Sequence, residues 1–286
     1  MEQGRKLSLK NDFVFKELFS RKRLWNIFKR FLVRFTKYED KKITVMKDLS
    51  LEKIVENNKY GVLDVMATLN DNTCVDIEMQ VRKYVPMANR ALFYSGKLIS
   101  SSLEKGEDYQ SLKQIIIISI LDFELFPFEE YLTETVTVPK EHRGYEIMNG
   151  QKFYFIELPK FRKAKINEDK KSNQWLLFID GINKEKVEKI MKENEIIRKA
   201  NEELEVITGD EEIRRLAFLR EKAIRDQISF EKQAREEGTK EGIKKGIQKS
   251  KIEIVKKMIQ KKYSIEQIID VTGVAKEDIQ KIKKDM

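Results

Sequence analysis

Leu63-Asp64-Val65-Met66-Ala67-Thr68-Leu69 and Cys74-Val75-Asp76-Ile77-Glu78-Met79-Gln80-Val81 are the two runs that decide the fold. Leu63, Val65, Ala67 and Leu69 alternate with Asp64, Met66 and Thr68 in the first. Val75, Ile77, Met79 and Val81 alternate with Cys74, Asp76, Glu78 and Gln80 in the second. A period of two predicts two β-strands, each with one apolar face. Asn70-Asp71-Asn72 is the turn between them, and only an odd loop length puts both apolar sets on the same side of the sheet. A three-residue loop does so; it pairs Leu69 with Thr73 and sets Asp64 across from Glu78. Asn72 then takes the left-handed position of such a loop, which Asn tolerates better than most residues.

Side chains of directly paired residues start about 4.5–5.5 Å apart at Cβ, so Asp64 and Glu78 can reach one ion. Gln80 points to the same side. Two carboxylates with a carbonyl and waters suit Mg²⁺, which takes oxygen ligands and keeps several waters. Such an ion activates water and stabilises charge on a phosphodiester. The same pattern also describes a half-exposed hairpin whose acidic residues face solvent. The hairpin alone leaves both readings open.

Four segments in order carry a resemblance: Lys10-Asn11-Asp12-Phe13-Val14-Phe15-Lys16-Glu17-Leu18-Phe19, then Leu63-Asp64-Val65, then Asp76-Ile77-Glu78-Met79-Gln80, then Arg90-Ala91-Leu92-Phe93-Tyr94-Ser95. Together they resemble the PD-(D/E)XK nuclease family transposases, also called Rpn recombination-promoting nucleases, over about residues 5–230. The resemblance implies a restriction-endonuclease-like α/β core, a mixed central sheet flanked by helices, and Mg²⁺-dependent cleavage of DNA, with Mn²⁺ as a substitute ion. It implies that Asp64 and Glu78 are the metal ligands and, with Gln80, the catalytic set. Gln80 stands where the wider superfamily has Lys; an amide orients the attacking water but brings no positive charge, so slow cleavage or help from another cation is expected. Asp76 is a competing acidic neighbour, ranked below Glu78 because Glu78-Met79-Gln80 matches the motif. Asp12 either assists the metal site or caps the first helix.

Composition narrows the chemistry separately. One Cys and one His among 286 residues exclude zinc fingers and His-rich metal sites. Cys74 has no partner for an internal disulfide, which fits a reducing cytoplasm. His142 lies in the polar stretch Glu141-His142-Arg143-Gly144, a solvated loop position. No Gly-rich phosphate loop occurs. No apolar run approaches the roughly 20 residues that span a bilayer, and the N-terminus lacks a signal peptide's apolar segment. A cytoplasmic protein without membrane contact is expected.

The net charge of +9 is concentrated at the ends: residues 1–50 carry 14 Lys and Arg against 6 Asp and Glu, and residues 231–286 carry 15 against 10. Basic flanks around an acidic centre suit a DNA substrate. Arg21, Lys22 and Arg23, beside an amphipathic stretch with Leu24, Ile27, Phe28, Phe31 and Leu32, are candidate DNA contacts; a solvated helix face is the alternative. Arg90, Tyr94 and Lys97 recur at helical spacing on one face of a helix starting after Pro86. In the resembling family this helix packs beside the site, making Arg90 and Tyr94 candidates to touch phosphate or order the metal ligands.

Helices are predicted over Asp12 to Phe19 and Leu24 to Phe35, and a strand over Ile43 to Leu49. The β-branched run Ile115-Ile116-Ile117-Ile118-Ser119-Ile120-Leu121 predicts a central strand buried on both faces. Phe153 to Leu158 predicts another, ending at Pro159. Beyond Trp175 the pattern turns helical and charged, with long helices over Asn183 to Val206 and Glu211 to Gln233. Residues 1–230 thus form the nuclease-like domain, 231–250 a glycine-striped helix or linker (Gly238, Gly242, Gly246), and 251–286 a small helix-turn-helix-like unit. The C-terminal helices are candidates for homo-oligomer formation. Alternatives to the DNA nuclease are an RNA nuclease using the same centre, or a catalytically inactive DNA-binding or oligomeric scaffold derived from a mobile element.

Overall fold

Ile115–Leu121 forms β3, the middle strand of a five-stranded mixed sheet, buried along its whole length. The computed structural model describes residues 7–20, 65–69, 73–83, 86–103, 105–145 and 151–286. Asp64, the turn Asn70 to Asn72, the basic residues Arg21, Lys22 and Arg23, the helix expected over Leu24 to Phe35 and the strand expected over Ile43 to Leu49 lie outside the described residues.

The sheet order is β1-β2-β3-β5-β4, with β1 at Val65–Thr68, β2 at Cys74–Gln80, β4 at Leu132–Thr135 and β5 at Gln151–Glu157. Val65 pairs with Ile77, Ala67 with Val75 and Thr68 with Cys74, antiparallel. The Leu69 N–H donates to the Thr73 carbonyl at 2.8 Å. This is the register that the odd loop length demands. β2 and β3 run parallel, as do β3 and β5, and β4 closes one edge antiparallel to β5. A parallel pair needs a crossover, and α2, Met87–Ser100, supplies it between β2 and β3.

One face of the sheet carries Val65, Ala67, Val75, Ile77, Met79, Ile116, Ile118, Ile120, Tyr154 and Ile156, all buried in the main core. Against them pack Val14, Phe15, Leu18 and Phe19 of α1 (Asp12–Ser20) and the helices that follow β5. Those are α3 (Leu158–Lys163), α4 (Lys171–Asp180), α5 (Lys184–Glu193) and α6 (Glu195–Gly209). The Phe19 and Trp175 rings, 6.2 Å apart, join α1 to α4. The opposite face packs Cys74, Ile115, Ile117, Leu121 and Phe155 under Met87, Ala91, Tyr94 and Leu98 of α2. Helices on both faces of a mixed sheet make the α/β sandwich expected.

Three local expectations change. Pro159 does not simply end a strand: it sits in the first turn of α3, where its missing N–H costs nothing. The helix expected over Asn183 to Val206 is two helices broken at Asn194, whose side-chain carbonyl accepts from the N–H of Ile196 (3.1 Å) and Ile197 (3.4 Å). Its amide also donates to Gln174 Oε1 at 2.9 Å. Asn194→Ala is therefore expected to lower stability by about 1–2 kcal/mol in urea denaturation, the worth of a buried N-cap. An unchanged midpoint would show that the break is set by something else.

The third change concerns the glycine stripe. The helix expected over Glu211 to Gln233 runs on through Gly238, Gly242 and Gly246 as one 50-residue helix, α7 (Glu211–Gln260), the helical one of the two alternatives for residues 231–250. A Cβ added at any of the three would meet nothing within 4 Å, so no neighbour approaches closely there among the described residues.

The described contacts divide the chain into residues Met1–Glu221 and Lys222–Met286. In the second unit, α8 (Ile265–Thr272) begins at a capping box between Ser264 and Gln267 and ends at Gly273, whose φ of 63° suits glycine. It and α9 (Lys276–Lys284) pack around Val255, Ile268 and Ile279. No helix among the described residues is long and apolar enough to cross a membrane.

Candidate active site

The period of two in β2 sends Asp76, Glu78 and Gln80 to the face opposite Val75, Ile77 and Met79. That face is not open. α2 lies across it, and all seven residues of β2 are buried. Of the two readings of the hairpin, the one with its acidic residues facing solvent gives way for β2, because the βαβ crossover lays its helix over the polar side. Glu78 is 2% exposed, Asp76 0% and Gln80 8%.

Arg90 and Tyr94, one turn apart on α2, meet these carboxylates. Arg90 Nη2 lies 3.7 Å from Glu78 Oε1, and the guanidinium sits 5.4 Å from the Tyr94 ring centroid. Burial pushes the Glu78 carboxyl above its ordinary range, with the Arg90 charge opposing. Burial also raises the Tyr94 phenol; Arg90 counters this, while the charges of Glu78 and Asp76 add to it. Tyr94 thus feels both acids. Lys97, expected on the same helical face, instead covers the exposed Phe93 ring at 4.6 Å.

Of the three buried acids on this sheet face, Asp76, Glu78 and Glu157, the last two have opposite surroundings. Glu157, at the end of β5 and fully buried, accepts from the N–H groups of Leu125 and Phe126 and from Lys160 Nζ at 2.7 Å. It pins the segment after β3. Glu78 accepts no hydrogen bond at either oxygen among the described residues. A buried carboxylate that lacks such bonds is costly, and Arg90 at 3.7 Å offsets part of that cost by its charge.

The N-terminal motif divides its work among tethers. Lys10 Nζ lies 3.3 Å from Asp122 and 3.6 Å from Asp180. Arg162 bonds both of those acids, and the paired carboxylates hold its own pKa up. Asp122, just past β3, donates its N–H to the Gln80 carbonyl at 2.8 Å. Asn11, rather than Asp12, caps α1, accepting from the N–H of Phe13 and Val14. Asp12 forms a forked ion pair with Arg220 of α7.

The structure therefore brings together Glu78, Arg90 and Tyr94 of the residues expected at the site, with Gln80 two residues beyond Glu78 on the same face of β2. It places Lys97 and Asp12 in other contacts, and Asp64, Arg21, Lys22 and Arg23 lie outside the described residues. No group of three or more His, Cys, Asp or Glu able to hold a metal gathers among the described residues. One polar neighbour of the acids went unnoticed in the sequence. Ser119 pairs with Glu78 across β2 and β3 and is fully buried; its signal was a single hydroxyl in an otherwise apolar run.

A mixed α/β sandwich with buried acids on a central strand beneath a crossover helix is the architecture of a restriction-endonuclease-like nuclease core. The chain belongs to the PD-(D/E)XK nuclease family transposases, whose family model matches residues 9–234. Its function is accordingly of nuclease or transposase type. No curated protein and no solved structure matches the chain.

Proposed function

We propose that the protein is a Mg²⁺-dependent endodeoxyribonuclease of the recombination-promoting type, hydrolysing phosphodiester bonds of DNA in the cytoplasm. The observation that carries this reading is Glu78: buried, accepting no hydrogen bond among the described residues, and approached by the Arg90 guanidinium at 3.7 Å. Its two oxygens are hard donors of the kind Mg²⁺ takes, and Mn²⁺ would be accepted as a substitute. Asp64, the residue before β1, is the second ligand; the antiparallel register Val65 to Ile77 is the one that Asp64 and Glu78 need if they are to share an ion.

A divalent cation there supplies Lewis acidity and a water of lowered pKa. The protein's own groups do the rest. Gln80 orients the attacking water through its amide. Arg90 turns its guanidinium from Glu78 to the phosphate and offers the positive charge that Gln80 lacks. Tyr94 holds the guanidinium against its ring. Arg21, Lys22, Arg23 and Lys97 contact the DNA backbone, and Asp12 is an auxiliary group held by Arg220. The C-terminal helices join copies of the chain into a homo-oligomer.

A second reading, a DNA-binding or oligomeric scaffold without catalysis, draws on the same ion pair, since Arg90 already neutralises Glu78. Supercoiled plasmid incubated with Mg²⁺ separates the two. Wild-type protein is expected to nick it and Asp64→Ala to leave it intact; equal nicking by both, or none by either with Mg²⁺ or Mn²⁺, defeats the nuclease assignment.

A further inference from the structure

We propose that Ser119 is a positioning residue for Glu78, its Oγ–H donating to the carboxylate when a divalent cation is bound. The inference rests on the metal-binding reading above. Ser119 and Glu78 are direct partners in the parallel register of β2 and β3, so their side chains leave the sheet on the same face. Neighbouring strands lie about 4.8 Å apart, within reach of a hydroxyl and a carboxylate.

The residue choice needs explaining. Ser119 interrupts Ile115-Ile116-Ile117-Ile118 and Ile120-Leu121, in the central strand, where a β-branched apolar side chain packs best. It is fully buried, and its Oγ has no hydrogen-bond partner among the described residues. A buried hydroxyl left unpaired destabilises the fold. Ser95, a residue of α2 that is equally buried, shows the ordinary solution: its Oγ donates to the Leu92 carbonyl at 2.8 Å and accepts from Gln151 at 3.2 Å. Ser119 has no such pairing, and the acid directly across from it accepts no hydrogen bond either.

Glu78 and Ser119 thus leave the same face of the sheet on neighbouring strands, and neither side chain is hydrogen-bonded among the described residues. A cation that draws on one Glu78 oxygen leaves the other to accept from Ser119, which fixes the carboxylate's rotation. Metal ligands are commonly held by such outer hydrogen bonds, whose loss weakens metal binding about 10–100-fold. A purely steric role for Ser119, as a small residue leaving room beneath α2, is preserved in Ser119→Ala, so that variant removes the hydroxyl alone.

The test is calorimetric titration of Mn²⁺ into wild type, Ser119→Ala and Asp64→Ala, with thermal melting of each protein free of metal. Ser119→Ala is expected to bind Mn²⁺ about tenfold more weakly than wild type, while its metal-free melting temperature is unchanged or higher. Equal affinity of wild type and Ser119→Ala overturns the inference and leaves the metal reading standing. So does a metal-free melting temperature several degrees lower, which marks a structural hydroxyl. Absence of binding by wild type overturns the metal reading and the inference together. Loss of binding in Asp64→Ala shows that the site titrated is the one proposed.

Discussion

Glu78→Gln is expected to lose Mg²⁺-dependent plasmid nicking by about a thousandfold or more, some 4 kcal/mol of transition-state stabilisation, and yet to make the metal-free protein more stable at neutral pH. The two effects share one cause. Glu78 is buried, and its oxygens accept no hydrogen bond among the described residues. Its carboxyl is pushed above the ordinary range by that burial, only partly countered by Arg90.

A folded-state pKa above the unfolded one means that the protonated acid suits the fold. This contribution is fully present below the ordinary carboxylate pKa and is lost as pH rises through the raised value. Gln is neutral throughout and has no such loss. Wild type and Glu78→Gln should therefore have similar metal-free melting temperatures near pH 4. The variant should lead by pH 8, by on the order of 1 kcal/mol, the scale of an unsatisfied buried polar group. Mg²⁺ should raise the wild-type melting temperature at pH 8 and leave the variant where it is. A variant less stable than wild type at pH 8 without metal would mean that Glu78 holds the fold rather than an ion.

Arg90→Met is expected to move two quantities in opposite directions. Cleavage should fall about a hundredfold, because the positive charge at the phosphate is removed, a loss of the size seen when one stabilising donor is deleted. Mn²⁺ affinity at pH 8 should rise about tenfold, because a cation 3.7 Å from Glu78 no longer opposes the ion. Met keeps an apolar stem in place of the Arg90 side chain beside Tyr94. Plasmid nicking under saturating Mn²⁺, set beside calorimetric titration, reads both. Weaker metal binding with weaker cleavage would reduce Arg90 to a packing residue; unchanged cleavage would remove it from the reaction.

The hairpin shows how far sequence reaches. Its alternation and its loop parity were enough to predict the pairing of β1 with β2, and the Leu69 to Thr73 hydrogen bond is where that register puts it. Ile115 to Leu121 was equally legible as a central strand, since a continuous β-branched run has no face to offer water. The break at Asn194 was hidden because helical periodicity on either side differs little in phase. The amide that caps α6 shows its function only when Gln174 is there to accept its N–H. Of the site, alternation put Glu78 and Gln80 on one face and helical spacing put Arg90 and Tyr94 on another, and the resemblance gave all four their roles, but neither source said that the acidic face is buried.

What the sequence determined by itself is local and periodic: strand identity, the parity of the turn, the apolar face of each element and the order in which they follow one another. What tertiary structure decided is what covers the other face. α2 crosses back over β2, Arg90 comes to Glu78 and Ser119 comes beside it on a neighbouring strand. The reason is physical. Alternation depends on the geometry of one strand and its partner across a short loop. The charge state and satisfaction of a carboxylate depend instead on every group that a distant crossover excludes from water or brings within reach.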